Sequence, residues 1–150
     1  MNIDKIYRIG YCPGSFDLFH VGHVNLLRNA KKQCRYLIVG VVSDELHAFY
    51  KGSSPYISLD ERMEVVASCR YADEVFTVDF TTADKLEAWK VLHYDCHFAG
   101  SDHVNDFDTV AQQLKLFDVD MVFFPYTRQT TSTKIREVVE TRKSKVIYEA

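Results

Sequence analysis

The sequence has no apolar run long enough to cross a bilayer. Its longest runs, YLIVGVV and MVFFPY, are far shorter than the roughly 20 residues of a membrane-spanning helix. The charged opening, MNIDKIYR, also lacks the apolar core of a signal peptide. We therefore expect a soluble, cytoplasmic protein without a membrane partner.

An excess of basic residues and paired cysteines are also missing. The chain carries 18 Lys and Arg against 21 Asp and Glu, so no general positive field favours nucleic acid as a partner. The four cysteines show neither CxxC pairing nor zinc-ribbon spacing; they are Cys12, Cys34, Cys69 and Cys96. We expect buried or half-buried thiols rather than disulfides or a metal site. Any bound anion must be held by a local cluster.

Neither a Walker loop nor a GxGxxG fingerprint occurs, which argues against a P-loop NTPase and a dinucleotide-dependent dehydrogenase. Repeats and low-complexity tracts are absent too. The chain has 150 residues, of which 47% are hydrophobic and 26% charged. This composition is typical of one globular domain, here residues 1–150, with a single core.

Five apolar runs are continuous rather than alternating, which is typical of parallel strands buried on both faces. Segments with helical periodicity lie between them, and SLDE (58–61) has the pattern of a capping box that opens a helix. This alternation predicts an α/β fold, a Rossmann-like doubly wound five-stranded parallel sheet. The predicted strands are 6–12, 36–42, 74–79, 96–100 and 120–124. The predicted helices are 21–34, 84–92, 106–117 and 131–142, together with the helix that SLDE opens.

Polar, irregular segments follow four of these strands and should converge at one edge of the sheet, where such folds bind ligands. They are PGSFDLFHVGH (13–23), SDELHAFYKG (43–52), GSD (100–102) and YTRQTTST (126–133).

The first of these segments contains the most unusual residues. Gly14 permits a tight turn, and a helix that starts near Val21 directs its free N–H groups toward an anion such as phosphate. His20 and His23 are three residues apart and project to the same side, while Gly22 leaves space for a flat nucleotide group. Two imidazoles there suit hydrogen bonding to phosphoryl oxygens. A zinc site would need a third protein ligand, and no other segment supplies one with recognisable spacing. The alternative is that the two histidines cap the helix and pack without taking part in chemistry.

With these residues in place, the sequence resembles the nucleotidylyltransferase superfamily, and within it the cytidylyltransferases for glycerol phosphate, choline phosphate and ethanolamine phosphate. GSFDLFHVGH resembles the GxFDxxHxGH signature, and RYADEV resembles the RYxDEV ending of a later helix. YLIVGVVSDELHAFYKG is similar to the second strand with its lysine loop, and TSTKIRE to the start of the last helix.

The resemblance implies transfer of a cytidylyl group from CTP to a small alcohol phosphate, with release of pyrophosphate. No covalent enzyme intermediate is needed, so catalysis is mostly positioning and charge stabilisation. Mg²⁺ is expected to accompany CTP, and relatives dimerise around RYxDEV, which implies a homodimer.

By the same resemblance, His20 and His23 contact the triphosphate. Lys51, in a flexible loop YKGSSPY, bridges CTP and the substrate phosphate, and Arg70 is a further substrate-binding candidate. The implied nucleotide-binding residues are Gly14, Ser15, Phe16, Gly22, Asp102, Thr130, Thr131, Ser132 and Thr133.

Two positions depart from the family pattern. Where the family motif RTEGISTT begins with arginine, this chain has Tyr126. We predict that Arg128, rather than Lys134 or Arg136, supplies the guanidinium. Choline and ethanolamine enzymes carry an acidic residue where this chain has Pro13, which favours glycerol phosphate or another polyol phosphate.

Other readings stay open. PGSFD is also similar to the start of phosphopantetheine adenylyltransferases, although these typically have proline at the position of Leu18, and heptose phosphate adenylyltransferases are near relatives. Choline or ethanolamine phosphate is a further alternative substrate. A catalytically silent nucleotide-binding module on the same fold is another possibility.

Overall fold

A computed structural model describes residues 6–101, 108–125 and 132–149 of the protein. Strands and helices alternate along the chain, with two helices between the second and third strands. In chain order the elements are β1 (Tyr7–Gly14), α1 (Val21–Lys32), β2 (Cys34–Val42), α2 (Asp44–Lys51), α3 (Leu59–Ala67), β3 (Glu74–Val78), α4 (Lys85–Leu92), β4 (Cys96–Gly100), α5 (Asp108–Lys115), β5 (Asp120–Phe124) and α6 (Ser132–Glu149).

All five strands run parallel in the order β3-β2-β1-β4-β5. The chain builds the sheet outward from β1 to β3 and then returns to the other side of β1 to add β4. The strand order therefore reverses between β1 and β4, which makes the carboxyl end of β1 the topological switch point where ligands bind in such sheets. The predicted Rossmann-like doubly wound sheet is confirmed.

Two apolar clusters cover the two faces of the sheet. Leu37, Val39 and Val41 of β2 belong to one cluster, together with residues of α1 and α3. Ile38 of the same strand belongs to the other, together with residues of α2, α4 and α5. Neighbouring residues of one strand are thus buried on opposite faces, which explains why the apolar runs are continuous.

Helix α2 was not predicted, and the sequence-based assignment of SDELHAFYKG to a loop is wrong. The Ser43 hydroxyl caps the helix by accepting from the Leu46 N–H, and Gly52 closes it with a left-handed φ of 81°. Lys51 is consequently the last residue of a helix and not part of a flexible loop. Eight residues with one buried edge are too few to show a clear helical period.

The other helices follow the predictions with different ends. Helix α3 begins at Leu59 as expected, but Ser58 makes no side-chain capping bond, so the predicted capping box is not formed. Helix α6 continues to Glu149, beyond the predicted end at 142. In the predicted helix 106–117, residues 106 and 107 lie outside the described part of the chain.

The cysteine prediction is confirmed: Cys12, Cys34 and Cys96 are buried, Cys69 is half-buried, and all four are free thiols. None of the helices in the described ranges is both long enough and apolar enough to span a membrane.

Candidate active site

The loop between β1 and α1, residues 15–20, is called the motif loop below. Phe16 and Leu18 both have positive φ angles, 52° and 51°, a conformation that costs a non-glycine residue about 1 kcal/mol. Such strain persists only where the surroundings hold the backbone in place. Phe16 is 4% exposed and its ring packs near His23, so its side chain belongs to the core.

Asp17 provides much of that hold. Its carboxylate is 1% exposed and accepts hydrogen bonds from the backbone N–H groups of Tyr56 and Ile57, at 2.8 and 2.9 Å. The Arg136 guanidinium donates to the same carboxylate, and the Ser132 hydroxyl donates to the Asp17 carbonyl oxygen at 2.6 Å. Asp17 therefore connects the motif loop to the start of α6 and to the segment before α3.

Burial alone would raise the pKa of Asp17, but the Arg136 guanidinium and the two backbone N–H groups outweigh burial and lower it. The carboxylate is therefore ionised at neutral pH. Its negative charge is paired with the Arg136 guanidinium.

Arg62 provides the second anchor, and sequence reasoning missed it. Its side chain is 1% exposed and donates to the carbonyl oxygens of Ser15, Val42 and Ile57 at 2.7 to 2.8 Å and to Asp44 Oδ1 at 2.7 Å. One guanidinium thus joins the motif loop to the end of β2. A signal was available in the sequence: Arg62 lies on the apolar stripe of α3, four residues before the buried Val66.

His20 and His23 form a reciprocal cap at the start of α1. His20 Nδ1 accepts from the Gly22 N–H at 3.0 Å, and His23 Nδ1 accepts from the His20 N–H at 3.1 Å. The two rings lie 4.0 Å apart between centroids. The capping alternative considered from the sequence is therefore real, but it occupies only one nitrogen of each ring.

The cap also determines the tautomer. A nitrogen that accepts a hydrogen bond from an N–H carries no proton, so a neutral ring must carry its proton on Nε2. Burial lowers the pKa of His20, and burial together with the neighbouring His20 ring lowers the pKa of His23 to about 3. At neutral pH both rings are neutral Nε2–H donors that hold a fixed orientation.

The end of β2 contributes to the same edge of the sheet. His47 Nδ1 in α2 lies 2.8 Å from the Ser15 hydroxyl. Lys51 is exposed at the carboxyl end of α2, and its charge acts on His47. The structure thus brings Ser15, His20, His23 and Lys51 to one edge.

Four of the remaining nucleotide-binding candidates lie within the described residues. Gly14 ends β1, where an added β-carbon would lie 3.0 Å from the Phe16 ring, and Gly22 lies in the first turn of α1. Ser132 and Thr133 begin α6. The other three, Asp102, Thr130 and Thr131, lie outside the described residues, as does the catalytic candidate Arg128.

Arg70 is not brought to this edge within the chain. It is exposed and lies between the end of α3 and the start of β3, at the amino ends of the strands, whereas the motif loop lies at their carboxyl ends. Its neighbours in RYADEV have roles inside the chain: Tyr71 accepts from Arg28 at 3.1 Å, and Asp73 pairs with Lys31 at 2.6 Å. Within a single copy of the chain, Arg70 lies apart from Ser15, His20, His23 and Lys51, and its substrate contact stays a prediction.

Arg136 should stabilise the protein only while Asp17 is ionised. Folding lowers the pKa of Asp17, so this contribution is present above the usual aspartate pKa and is lost as the pH falls through the lower folded pKa. We expect Arg136→Met to lower the free energy of unfolding by about 2 kcal/mol at pH 7. The loss should shrink as the pH falls below about 4. Urea unfolding across this pH range measures it.

The control is the same substitution in an Asp17→Asn background, where Arg136→Met should have little effect at any pH. The Arg136 guanidinium also lies over the Tyr56 ring, 5.6 Å from its centroid. A loss that does not change with pH would mean that this packing, and not the ion pair, is what Arg136 contributes.

Comparison with known proteins agrees with this arrangement. The family model of cytidylyltransferase-like proteins matches residues 11–145. Ethanolamine-phosphate cytidylyltransferase from Dictyostelium discoideum is 45% identical over 94 residues, which cover 59% of this chain and 26% of the relative. The chain thus spans about a quarter of that relative's length.

Two further comparisons cover whole proteins. Glycerol-3-phosphate cytidylyltransferase from Bacillus subtilis (strain 168) is 31% identical over 126 residues, 84% of this chain and 92% of the relative. The solved structure of a lipopolysaccharide core biosynthesis protein from Thermoplasma volcanium GSS1 has a TM-score of 0.68 at 18% identity, over 83% of this chain and 99% of that one, and this likeness concerns the fold alone. The family match over residues 11–145 confirms the resemblance inferred from the motifs: the chain belongs to the cytidylyltransferase-like family.

Proposed function

We propose that the protein transfers a cytidylyl group from CTP to a small alcohol phosphate, giving a CDP-alcohol and pyrophosphate. The observation that carries this proposal is the pair of neutral histidines at the start of α1, each with Nδ1 used in the cap and its proton on Nε2. Neutral donors held in a fixed orientation need no reorganisation when charge develops on a phosphoryl oxygen.

In this proposal the residues of the chain position and stabilise, and none forms a covalent bond. His20 and His23 donate from Nε2 to oxygens around the α-phosphorus, while the positive end of the α1 dipole lies toward the triphosphate. Lys51 supplies a positive charge between CTP and the substrate phosphate. The substrate phosphate oxygen attacks in line, and pyrophosphate leaves. We expect Arg128 to neutralise the phosphates of CTP.

We propose that Mg²⁺ arrives with the triphosphate. No cluster of three or more His, Cys, Asp or Glu suited to a metal occurs in the part of the chain that the structure describes. Asp17 and Asp44, the carboxylates that anchor the motif loop and the end of β2, are bonded to Arg136 and Arg62. The described residues therefore fit a metal held mainly by the nucleotide.

For the acceptor we propose glycerol phosphate or another polyol phosphate. Pro13, near the end of β1, offers no charge to a cationic headgroup. This proposal concerns the headgroup alone, and the transfer chemistry is the same for any alcohol phosphate.

An exposed aromatic patch favours a second candidate, an amino-alcohol phosphate such as that of ethanolamine or choline. Phe49 and Tyr50 precede Lys51, and the Phe49 ring lies 5.5 Å from Tyr50 and 5.7 Å from Phe80. All three side chains are more than half exposed. Aromatic faces attract ammonium groups. In this candidate function the patch holds the cationic headgroup in place of the acidic residue that choline and ethanolamine enzymes carry at the position of Pro13.

We also propose a homodimer. A surface groove lies between the motif loop and α3, and its lining is largely apolar: Leu18, Phe19, Ile57, Val65 and Ile135 contribute, with Glu61, Glu64 and Ser68. A second copy would cover these side chains, and light scattering after size-exclusion chromatography tests this.

Pyrophosphate release with CTP or ATP and a panel of alcohol phosphates tests the proposal. We expect kcat/KM for CTP to exceed that for ATP by about a hundredfold or more, because a site built to hydrogen-bond one base leaves its polar groups unpaired with another. Free glycerol, which has no attacking phosphate, is the control. Equal or better turnover with ATP would contradict the proposal, and the preferred acceptor decides between polyol and amino-alcohol phosphates.

A further inference from the structure

His47, on the buried side of α2, is a titratable side chain that the mechanism above does not use. It is 2% exposed, and its Nδ1 lies 2.8 Å from Ser15 Oγ. Its other ring nitrogen, Nε2, is buried and has no hydrogen-bond partner among the described residues. Buried polar atoms almost always have a partner, so an imidazole with one nitrogen used and one unused calls for a physical explanation.

The unpartnered nitrogen indicates where the ring proton lies. A neutral imidazole has one N–H and one nitrogen with a lone pair. With the proton on Nε2, a donor would be buried without an acceptor, which is rare; buried acceptors without a donor are less so. With the proton on Nδ1, the ring donates to Ser15 Oγ, and only a lone pair remains on Nε2.

Charges around His47 keep the ring neutral and place it within the candidate site. Burial lowers the pKa of His47, as do the positive charges of Arg136, Arg62 and Lys51, while Asp17 raises it. These four residues lie in α6, α3, α2 and the motif loop, so His47 lies among the elements that form the site. A neutral ring has a single proton to give.

Ser15 transmits the effect of that proton. Its backbone carbonyl is fixed by Arg62 at 2.7 Å, and the residue itself is half-buried. A hydroxyl that accepts from His47 keeps its own proton for another acceptor. Because the start of α1 and the Nε2–H groups of His20 and His23 favour anions at this edge, that acceptor is expected to be a phosphate oxygen.

We propose that His47 is a positioning residue for nucleotide binding: it donates from Nδ1 to Ser15 Oγ and so directs the Ser15 O–H toward a phosphate oxygen of CTP. The inference rests on the proposed function, because the phosphate belongs to the proposed substrate. It adds a residue that the signature motif does not include.

The tautomer can be measured without activity. ¹⁵N NMR of the free protein with labelled histidine distinguishes Nδ1–H from Nε2–H, and His47→Asn identifies the signal. We expect Nδ1–H at His47 and Nε2–H at His20 and His23. An Nε2–H tautomer at His47 would overturn the inference even if the protein turns over CTP.

Kinetics test the link to Ser15. His47→Phe keeps a ring without a donor, and Ser15→Ala removes the hydroxyl; each should raise KM for CTP about tenfold, the scale of one hydrogen bond to a charged group. The double variant should be no worse than Ser15→Ala, because the two residues act as a unit. His47→Asn, whose amide N–H can replace Nδ1–H, should restore KM to within about threefold of the wild type.

The matched control is His97→Phe. His97 is equally buried, at 1% exposure, but packs against Tyr11 and Tyr94, so its replacement should change thermal stability without changing KM for CTP. Additive effects of His47→Phe and Ser15→Ala would overturn the inference and leave the proposed function standing. A wild-type protein that neither binds nor turns over CTP would overturn both, whatever the tautomer.

Discussion

Replacing His20 or His23 with asparagine should lower kcat about a hundredfold or more while leaving the fold intact. The asparagine amide reproduces the part of the imidazole up to Nδ1, and asparagine is a favourable N-cap at position 20. Each variant can therefore accept the backbone N–H that the histidine accepts, but it has no group at the position of Nε2. Steady-state pyrophosphate release and thermal unfolding of the same samples measure the two effects separately.

Alanine at the same positions should give the same loss of kcat and an additional loss of about 1 kcal/mol in the free energy of unfolding, because the cap is removed. The control is His93→Asn. His93 is exposed and caps the carboxyl end of α4 in a left-handed conformation with φ 52°, which asparagine also adopts readily. If the asparagine variants turned over CTP normally and only the alanine variants failed, the two histidines would act as caps alone.

Arg62→Met should produce the largest loss of stability, about 3 to 5 kcal/mol. The substitution leaves the carbonyl oxygens of Ser15, Val42 and Ile57 without their donor. For a chain of this size the unfolding midpoint should fall by roughly 10 °C. Because the strained motif loop loses an anchor, we also expect weaker CTP binding at temperatures where the variant is still folded.

Arg62→Lys should fall between the wild type and Arg62→Met, since one ammonium group cannot reproduce the geometry of a guanidinium with four acceptors. The control is Asp44→Asn: the Asp44 side chain is 39% exposed and its amide still offers an oxygen to Arg62, so the cost should be within about 1 kcal/mol. An Arg62→Met midpoint within about 2 °C of the wild type would show that the buried guanidinium is dispensable.

The sequence by itself predicted the sheet, the start of α1 and the position of the histidine pair. These features depend on local patterns: continuous apolar runs for strands buried on both faces, a helical period for α1, and residues that follow a strand directly. The family likewise followed from short contiguous motifs, the most specific of which is GSFDLFHVGH. Helix α2 was not predicted because it has only eight residues between Ser43 and Gly52, and only Leu46 and His47 among them are buried.

Tertiary structure alone decided which residues hold the motif loop. Asp17 and Arg136 are 119 positions apart, Arg62 and the Ser15 carbonyl 47, and Ser15 and His47 32. Each partner is an ordinary polar residue until the sheet brings them together, and no local period marks such pairs. The same reason explains why the sequence did not show where Arg70 lies. This residue follows α3, which begins near the site and ends near the amino ends of the strands. Which end of the sheet a residue reaches depends on the direction of the chain, and its neighbours in sequence do not show it.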